Sequence, residues 1–182
     1  IQHFESLLKK KIPVIFFDRV FDHPDCTSIV IDNVRAGYDA VMHLLNQGCR
    51  RVVYIGGNLK RNVYADRLKG YRQALSEKGI PFTEKYIFIN DLGEQAGVET
   101  ANAILEMHPR PDGVFAANDF TGVACMQTLL DAGVKIPEEI AVAGFNNDPI
   151  SSIVRPKLTT INYPGYQMGQ IAATTLINAI NK

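Results

Sequence analysis

One stretch, Asp112 to Asp148, constrains this chain more than any other: it reads as strand, helix, strand. Gly113 to Ala117 (GVFAA) is a short apolar run of the kind buried on both faces of a parallel sheet. Asp119 then stands where a helix N-cap belongs, and Val123, Met126 and Leu130 recur at helical spacing. Gly133 stops the helix, Ile136-Pro137 turns the chain, and Ile140 to Gly144 (IAVAG) is a second buried run. Two strands joined by a crossover helix of this length make a right-handed parallel unit. Each strand runs out into polar side chains, Asn118-Asp119 after the first and Asn146-Asn147-Asp148 after the second. Ligands of parallel sheets sit at the carboxyl ends of the strands, so that edge is the reference for everything else.

The alternation continues on both sides. Arg51 to Ile55 and Tyr86 to Ile89 are strand runs, while Val34 to Gln47, Val63 to Lys78 and Glu94 to Met107 carry apolar residues at helical spacing. From Arg51 to Gly144 this predicts a four-strand, doubly wound parallel unit. Ile12 to Phe17, ending on Asp18, and Ser28 to Asn33 read as two earlier strands, separated by an irregular loop from Asp22 to Thr27. The first ten residues resemble the end of an amphipathic helix. Late in the chain, PISSIVRP reads as irregular, Leu158 to Asn162 as a short strand and Gly165 to Ile180 as a final helix. The early strands and the final helix fit the central unit less well. The expected fold is therefore α/β, with doubly wound parallel sheets in two lobes and crossings near Asp32-Asn33 and Asn162-Tyr163.

Composition excludes several function classes. Lys and Arg number 19 and so do Asp and Glu, a formal net charge of +0, so no whole-chain field draws the protein to nucleic acid or a membrane surface. No apolar run approaches the roughly 18 residues of a membrane span. The three cysteines (Cys26, Cys49, Cys125) are odd in number and lack CxxC spacing, which suits free thiols in a reducing, cytoplasmic compartment. Ile1 is not an initiator methionine, so a natural start further upstream is expected. There is no GxSxG and no P-loop, and GGNLKR is not GxGxxG. His3, His23, His43 and His108 lack metal-ligand spacing, so neither a metal nor a cofactor is expected, and no enzyme activity.

Four strand ends of the central unit are polar: Asn58 to Asn62, Asn90-Asp91, Asn118-Asp119 and Asn146 to Asp148. Such a mixture of amides, carboxylates and arginines suits a polyhydroxylated ligand, because each hydroxyl both donates and accepts. The same residues also make good turns and caps, and Asn118 is open to either role. Arg67 lies near the start of a helix, where a cation opposes the macrodipole, and its planar fork suits hydroxyls, carboxylate or phosphate. Arg61, at the loop tip, is either a contact or a surface arginine. Asp18 is a strand-end carboxylate, the position of a ligand contact, a turn residue or a phosphotransfer nucleophile.

Several stretches together are similar to the effector-binding core of LacI/GalR (lactose-repressor) transcription regulators. They are IPVIFFDR, SIVIDN, HLLNQGCRRVVYIGG, the N-x-x-x-x-R-x-x-G-Y run from Asn62 to Tyr71, PDGVFAAND, GVKIPEEIAVAGFNN and RPKLTTINYP, in the family's order across nearly the whole chain. The resemblance implies a type I periplasmic-binding-protein fold whose two lobes, joined by three crossovers, close on a small molecule. It implies residues 1–32 and 163–182 as parts of an incomplete N-terminal lobe, 33–162 as most of the C-terminal lobe, and a helix-turn-helix outside this chain. Carried over by position, Asp18, Arg61, Val63, Arg67, Leu92, Asn118 and Asn146 are expected ligand contacts. Asn146 stands where many members have Asp, and Leu92 cannot stack on a sugar face as an aromatic residue does.

The expected function is that of a sugar-sensing core, with operator DNA bound through the absent domain; the rival is an exported sugar-binding protein of an ABC transporter. With Arg67 kept and no carboxylate at 146, an acidic sugar or sugar phosphate is the expected preference, unless Asp18, Asp91 or Asp148 neutralises Arg67. A homodimer is expected through Met126, Leu129, Ile150 and Ile153, which exceed what one sheet face needs and fall on the family's pairing surface.

Overall fold

The computed structural model describes residues 2–21 and 23–181; Asp22, in the expected loop, and the terminal Ile1 and Lys182 lie outside them. The chain divides into two compact units, Ile1–Asp32 with Arg61–Val63 and Pro164–Lys182, and Asn33–Lys60 with Tyr64–Tyr163.

The larger unit is built on a five-stranded parallel sheet. Its strands are β3 (Val52–Gly56), β4 (Ile87–Ile89), β5 (Gly113–Ala116), β6 (Ala141–Asn146) and β7 (Thr159–Asn162), in the order β4-β3-β5-β6-β7. Every residue of β3 and β5 is buried, as the unbroken apolar runs require of strands covered on both faces. The helices of this unit are α2 (Asn33–Asn46), α3 (Asn62–Glu77, after its first two residues), α4 (Glu94–Glu106), α5 (Asp119–Asp131) and the single turn α6 (Ile150–Ile153). From β3 the chain moves one way along the sheet to β4, and then the other way to β5 and β6. Right-handed crossovers thus place α3 on one face and α4 with α5 on the other. The core gathers Tyr54, Tyr71, Phe115 and Phe145, with Tyr54 tilted against both Tyr71 and Phe115 at centroid separations of 5.7 and 5.6 Å.

Three expectations change. Leu158 to Asn162 does not stand apart: Thr159–Asn162 pairs with β6 from Ala143 to Asn146, so the sheet has a fifth strand. β6 runs past Gly144 to Asn146, which places Asn146 on the strand's last position rather than in the following loop. The PISSIV segment, expected to be irregular, contains α6.

The smaller unit pairs β1 (Val14–Phe17) with β2 (Cys26–Ile29) in parallel, and α7 (Gly165–Ile180) packs on both. β2 begins two residues before the expected strand, within what was expected to be loop. α1 (Gln2–Lys9) is anchored by Phe4, whose ring meets Phe16 edge-on at 5.2 Å. Beyond β1, Asn62 ties the chain twice: its Nδ2 donates to the Asp18 carbonyl and its Oδ1 accepts from the Val20 amide, both at 3.2 Å.

Candidate functional site

At the carboxyl rim of the five-stranded sheet, the first fixed point is Asn118. It is Asn118, not Asp119, that caps α5: its backbone is extended and its Oδ1 accepts from the Thr121 amide at 2.8 Å. Both residue types cap well, and the end of β5 decides between them. The Asn118 Nδ2 donates to the Leu92 carbonyl at 3.1 Å, and that oxygen also accepts from the Thr121 hydroxyl. Leu92 is left-handed, with φ +60, in a turn held by Asn90 Oδ1 on its own amide and Asp91 Oδ1 on the Gly93 amide. The Leu92 side chain is buried in the core. Expected as a ligand contact, it instead offers its backbone to Asn118 and Thr121.

Arg67 is only 4% exposed, in the second turn of α3. Its Nε donates to Asn33 Oδ1 at 2.9 Å and its Nη1 to the Ala117 carbonyl at 2.7 Å. The guanidinium lies over the Phe145 ring, 3.5 Å from the centroid, with the Tyr64 ring at 5.9 Å. Asn33 reaches Arg67 because α2 and α3 touch through glycines. A Cβ on Gly37 would fall 2.5 Å from the Arg67 carbonyl oxygen, and one on Gly70 would strike the Val34 carbonyl. Neutral oxygens and an aromatic face thus hold the cation. The premise for an acidic ligand, a guanidinium in want of an anion, loses its force.

The end of β6 supplies the third group. Asn146 and Asn147 have φ of +119 and +59, and the Asn146 Nδ2 donates to Asp148 Oδ2 at 3.2 Å. A carboxylate thus stands two residues after Asn146, held by the Asn146 amide. Beneath them Asp119 is fully buried, and burial pushes its carboxyl above the ordinary carboxylate range. Hydrogen bonds from Thr160 and the Asp148 amide favour the charged form and oppose that rise.

The smaller unit carries the other expected contacts. Asp18 is left-handed at φ +62, directly after β1, and its carboxylate lies 3.9 Å from the Arg19 Nε. Arg61 is exposed, whereas Val63 is buried. The rim of the larger unit thus brings together Arg67, Asn118, Asn146 and the backbone of Leu92. Asn33 and Phe145, which grip Arg67, and Thr160, which meets Asp119, were not anticipated as site residues. Asn33 was read only as a strand end and a crossing point between lobes, and no local pattern marks the others.

Two of the expected dimer residues require correction. Met126 and Leu129 are 1% and 0% exposed within the single chain, because α5 packs at once on α4 and on β5 and β6. Ile153 is 72% exposed and Ile150 partly so.

A groove of about 710 Å³ lies elsewhere, among His43, Cys49, Asp112, Ala141 and Thr159 at the amino ends of β5, β6 and β7. Volume alone does not mark the site: the carboxyl rim is where loop side chains converge in a parallel sheet. Among the described residues, no helix is long and apolar enough to cross a membrane.

Comparison with known proteins agrees with this geometry. Residues 41–182 match the model of the periplasmic binding protein-like domain. Over its full length the chain is 30% identical to catabolite control protein A of Priestia megaterium, of which it covers 55%. A solved complex of the transcriptional regulator CelR with cellobiose superposes with a TM-score of 0.90 at 30% identity, over 97% of this chain and 55% of that one. A LacI transcriptional regulator from Bacillus cereus gives a TM-score of 0.91 at 25% identity, over 99% of this chain and 64% of that one. The chain spans about half the length of the curated relatives it matches, and those relatives regulate transcription rather than serve transporters. With residues 41–182 matched and its relatives alike in kind, the chain belongs to the periplasmic binding protein-like domain family, in the form found in the cores of LacI-type regulators.

Proposed function

We propose that this chain is the effector-sensing core of a cytoplasmic, LacI-type transcription regulator, and that its effector is a neutral sugar or sugar derivative bound at the carboxyl rim of the five-stranded sheet. The supporting observation is the rim itself. Arg67, Asn118, Asn146 and Asp148 present amide, guanidinium and carboxylate groups together, a set that answers hydroxyls in both hydrogen-bonding senses. A similar protein, the regulator CelR, solved in complex with cellobiose, supports the same class. Asp18, Arg61 and Val63 are proposed as contributions of the smaller unit, Asp18 and Arg61 through side chains and Val63 through its backbone. The site binds without turnover. Ligand occupancy biases the geometry of a homodimer, which operator DNA reads through a domain outside this chain.

Titration calorimetry with cellobiose, ribose, glucose and glucuronate tests the proposal. One saturable site for a neutral sugar is expected, with glucuronate binding no better than glucose. Heat from glucuronate alone would reinstate an acidic effector, and no binding by any of the four would remove the sugar class.

The chain by itself is expected not to bind operator DNA, since its charge is balanced at +0 and base readout needs a basic recognition element. A sequence-specific, salt-dependent mobility shift with the chain alone contradicts this.

For the dimer, the exposed Ile153, the partly exposed Ile150 and Phe120, 47% exposed at the start of α5, remain as apolar groups on this side once Met126 and Leu129 are assigned to the core. Ile153→Glu is expected to weaken self-association by about tenfold or more, through burial of a charge in an apolar contact. Sedimentation equilibrium checks it, and an unchanged association constant removes Ile153 from the interface.

A further inference from the structure

The turn after β6 is held in a way that neither the strand nor the turn explains. Asn146 and Asn147 are consecutive non-glycine residues with positive φ, +119 and +59, a conformation that persists only where the surroundings over-determine it. The surroundings here are specific. The Asp148 amide donates to Asp119 Oδ2 at 2.6 Å, and the Thr160 hydroxyl donates to Asp119 Oδ1 at 2.6 Å. The Thr160 oxygen in turn accepts from the Asn147 amide at 3.2 Å. On the outer side the Asn147 Nδ2 donates to Asn162 Oδ1 at 3.0 Å, and the Tyr163 amide to the Asn146 carbonyl at 3.2 Å.

Asp119 is placed for this role and not for helix capping. Asn118 already caps α5 through the Thr121 amide. The first turn of a helix tolerates a carboxylate, through the macrodipole, yet both Asp119 oxygens are directed away from the helix, onto β7 and the 146–148 turn. Glycine at 144 makes the approach feasible, because a Cβ there would strike Asp119 Oδ1.

We propose that Asp119 and Thr160 are positioning residues for the effector: they touch no ligand, but they lock the left-handed turn that aims the Asn146 amide and the Asp148 carboxylate at the rim. This rests on the rim being the effector site. Thr160 is the better probe, because valine matches its shape without the hydroxyl and serine keeps the hydroxyl without the methyl. Thr160→Val is expected to weaken cellobiose or ribose binding about tenfold, the worth of one charge-assisted hydrogen bond. It is also expected to speed amide exchange at Asn147 and Asp148 by about tenfold, while exchange in β3 is unchanged. Thr160→Ser is expected to restore both to within about threefold of the wild type.

Wild-type affinity and exchange in Thr160→Val overturn the proposal, as does acceleration spread equally through β3 and β5, which marks general loosening. Should none of the four sugars bind the wild-type chain, the sugar reading fails and the exchange data alone decide the lock: selective acceleration at Asn147 and Asp148 upholds it, and unchanged exchange overturns it.

Discussion

Gly70→Ala is expected to destabilise the protein by about 2–3 kcal/mol, against the direction that helix propensity sets. Alanine inside a helix is ordinarily worth about 1 kcal/mol over glycine, and Gly70 is interior to α3. What opposes that gain is the crossing with α2. The added Cβ would meet the Val34 carbonyl and lie 2.5 Å from the Tyr38 amide nitrogen and 3.0 Å from the Gly37 carbonyl carbon. These are backbone atoms of a helix, which no rotamer change moves aside, so the two helices must part. Gly169 in α7 is the matched control, since a Cβ there meets nothing within 4 Å, and Gly169→Ala is expected to add up to about 1 kcal/mol. Urea denaturation of both variants measures the contrast. A Gly70→Ala protein as stable as the wild type removes the close crossing, and with it the reason Asn33 meets Arg67.

Arg67→Met is expected to lower stability by about 3 kcal/mol and to weaken sugar binding by about a hundredfold or more. Methionine matches much of the arginine stem, so packing survives and the loss is that of the guanidinium. Asn33 Oδ1 and the Ala117 carbonyl each lose a donor in buried surroundings, and the Phe145 ring loses its cation. Lysine is not expected to substitute: a point charge cannot bond Asn33 and Ala117 in one plane while lying flat on Phe145. Calorimetry with the sugar that binds the wild type, beside a denaturation curve, separates the two effects. An Arg67→Lys protein with wild-type affinity contradicts the assignment of that planar fork.

What the sequence made legible follows the range of the forces involved. β3 and β5 are unbroken apolar runs and β6 nearly so, because both their faces are covered; that signal is local, and the runs were readable within a residue or two. β7 was seen as a strand, but its place beside β6 was not: TTIN is short, mostly polar and without periodicity. Arg67 and Asn118 stood out by type and position. The partners that define them are 34 residues away for Asn33 with Arg67 and 26 for Leu92 with Asn118, and no pattern in one sequence links such pairs. Met126 and Leu129 were misplaced for a related reason. An apolar surplus on a helix shows that two sides are covered, but not whether the second cover is another chain or, as here, α4.

The outer strands of the five-stranded sheet have a consequence for how the protein behaves in solution. β4 has three residues and β7 four, so each edge offers only a brief row of open amides and carbonyls to a passing chain. Continuous pairing between molecules needs a longer, flatter template with matching apolar faces. β7 is also poor in that respect, with Thr159 and Asn162 turned to solvent at its two ends. The strongly apolar strands β3 and β5 lie inside, with a neighbour on each side. The segments with the greatest capacity to seed fibrous aggregates are thus kept from any such encounter for as long as the sheet stays closed.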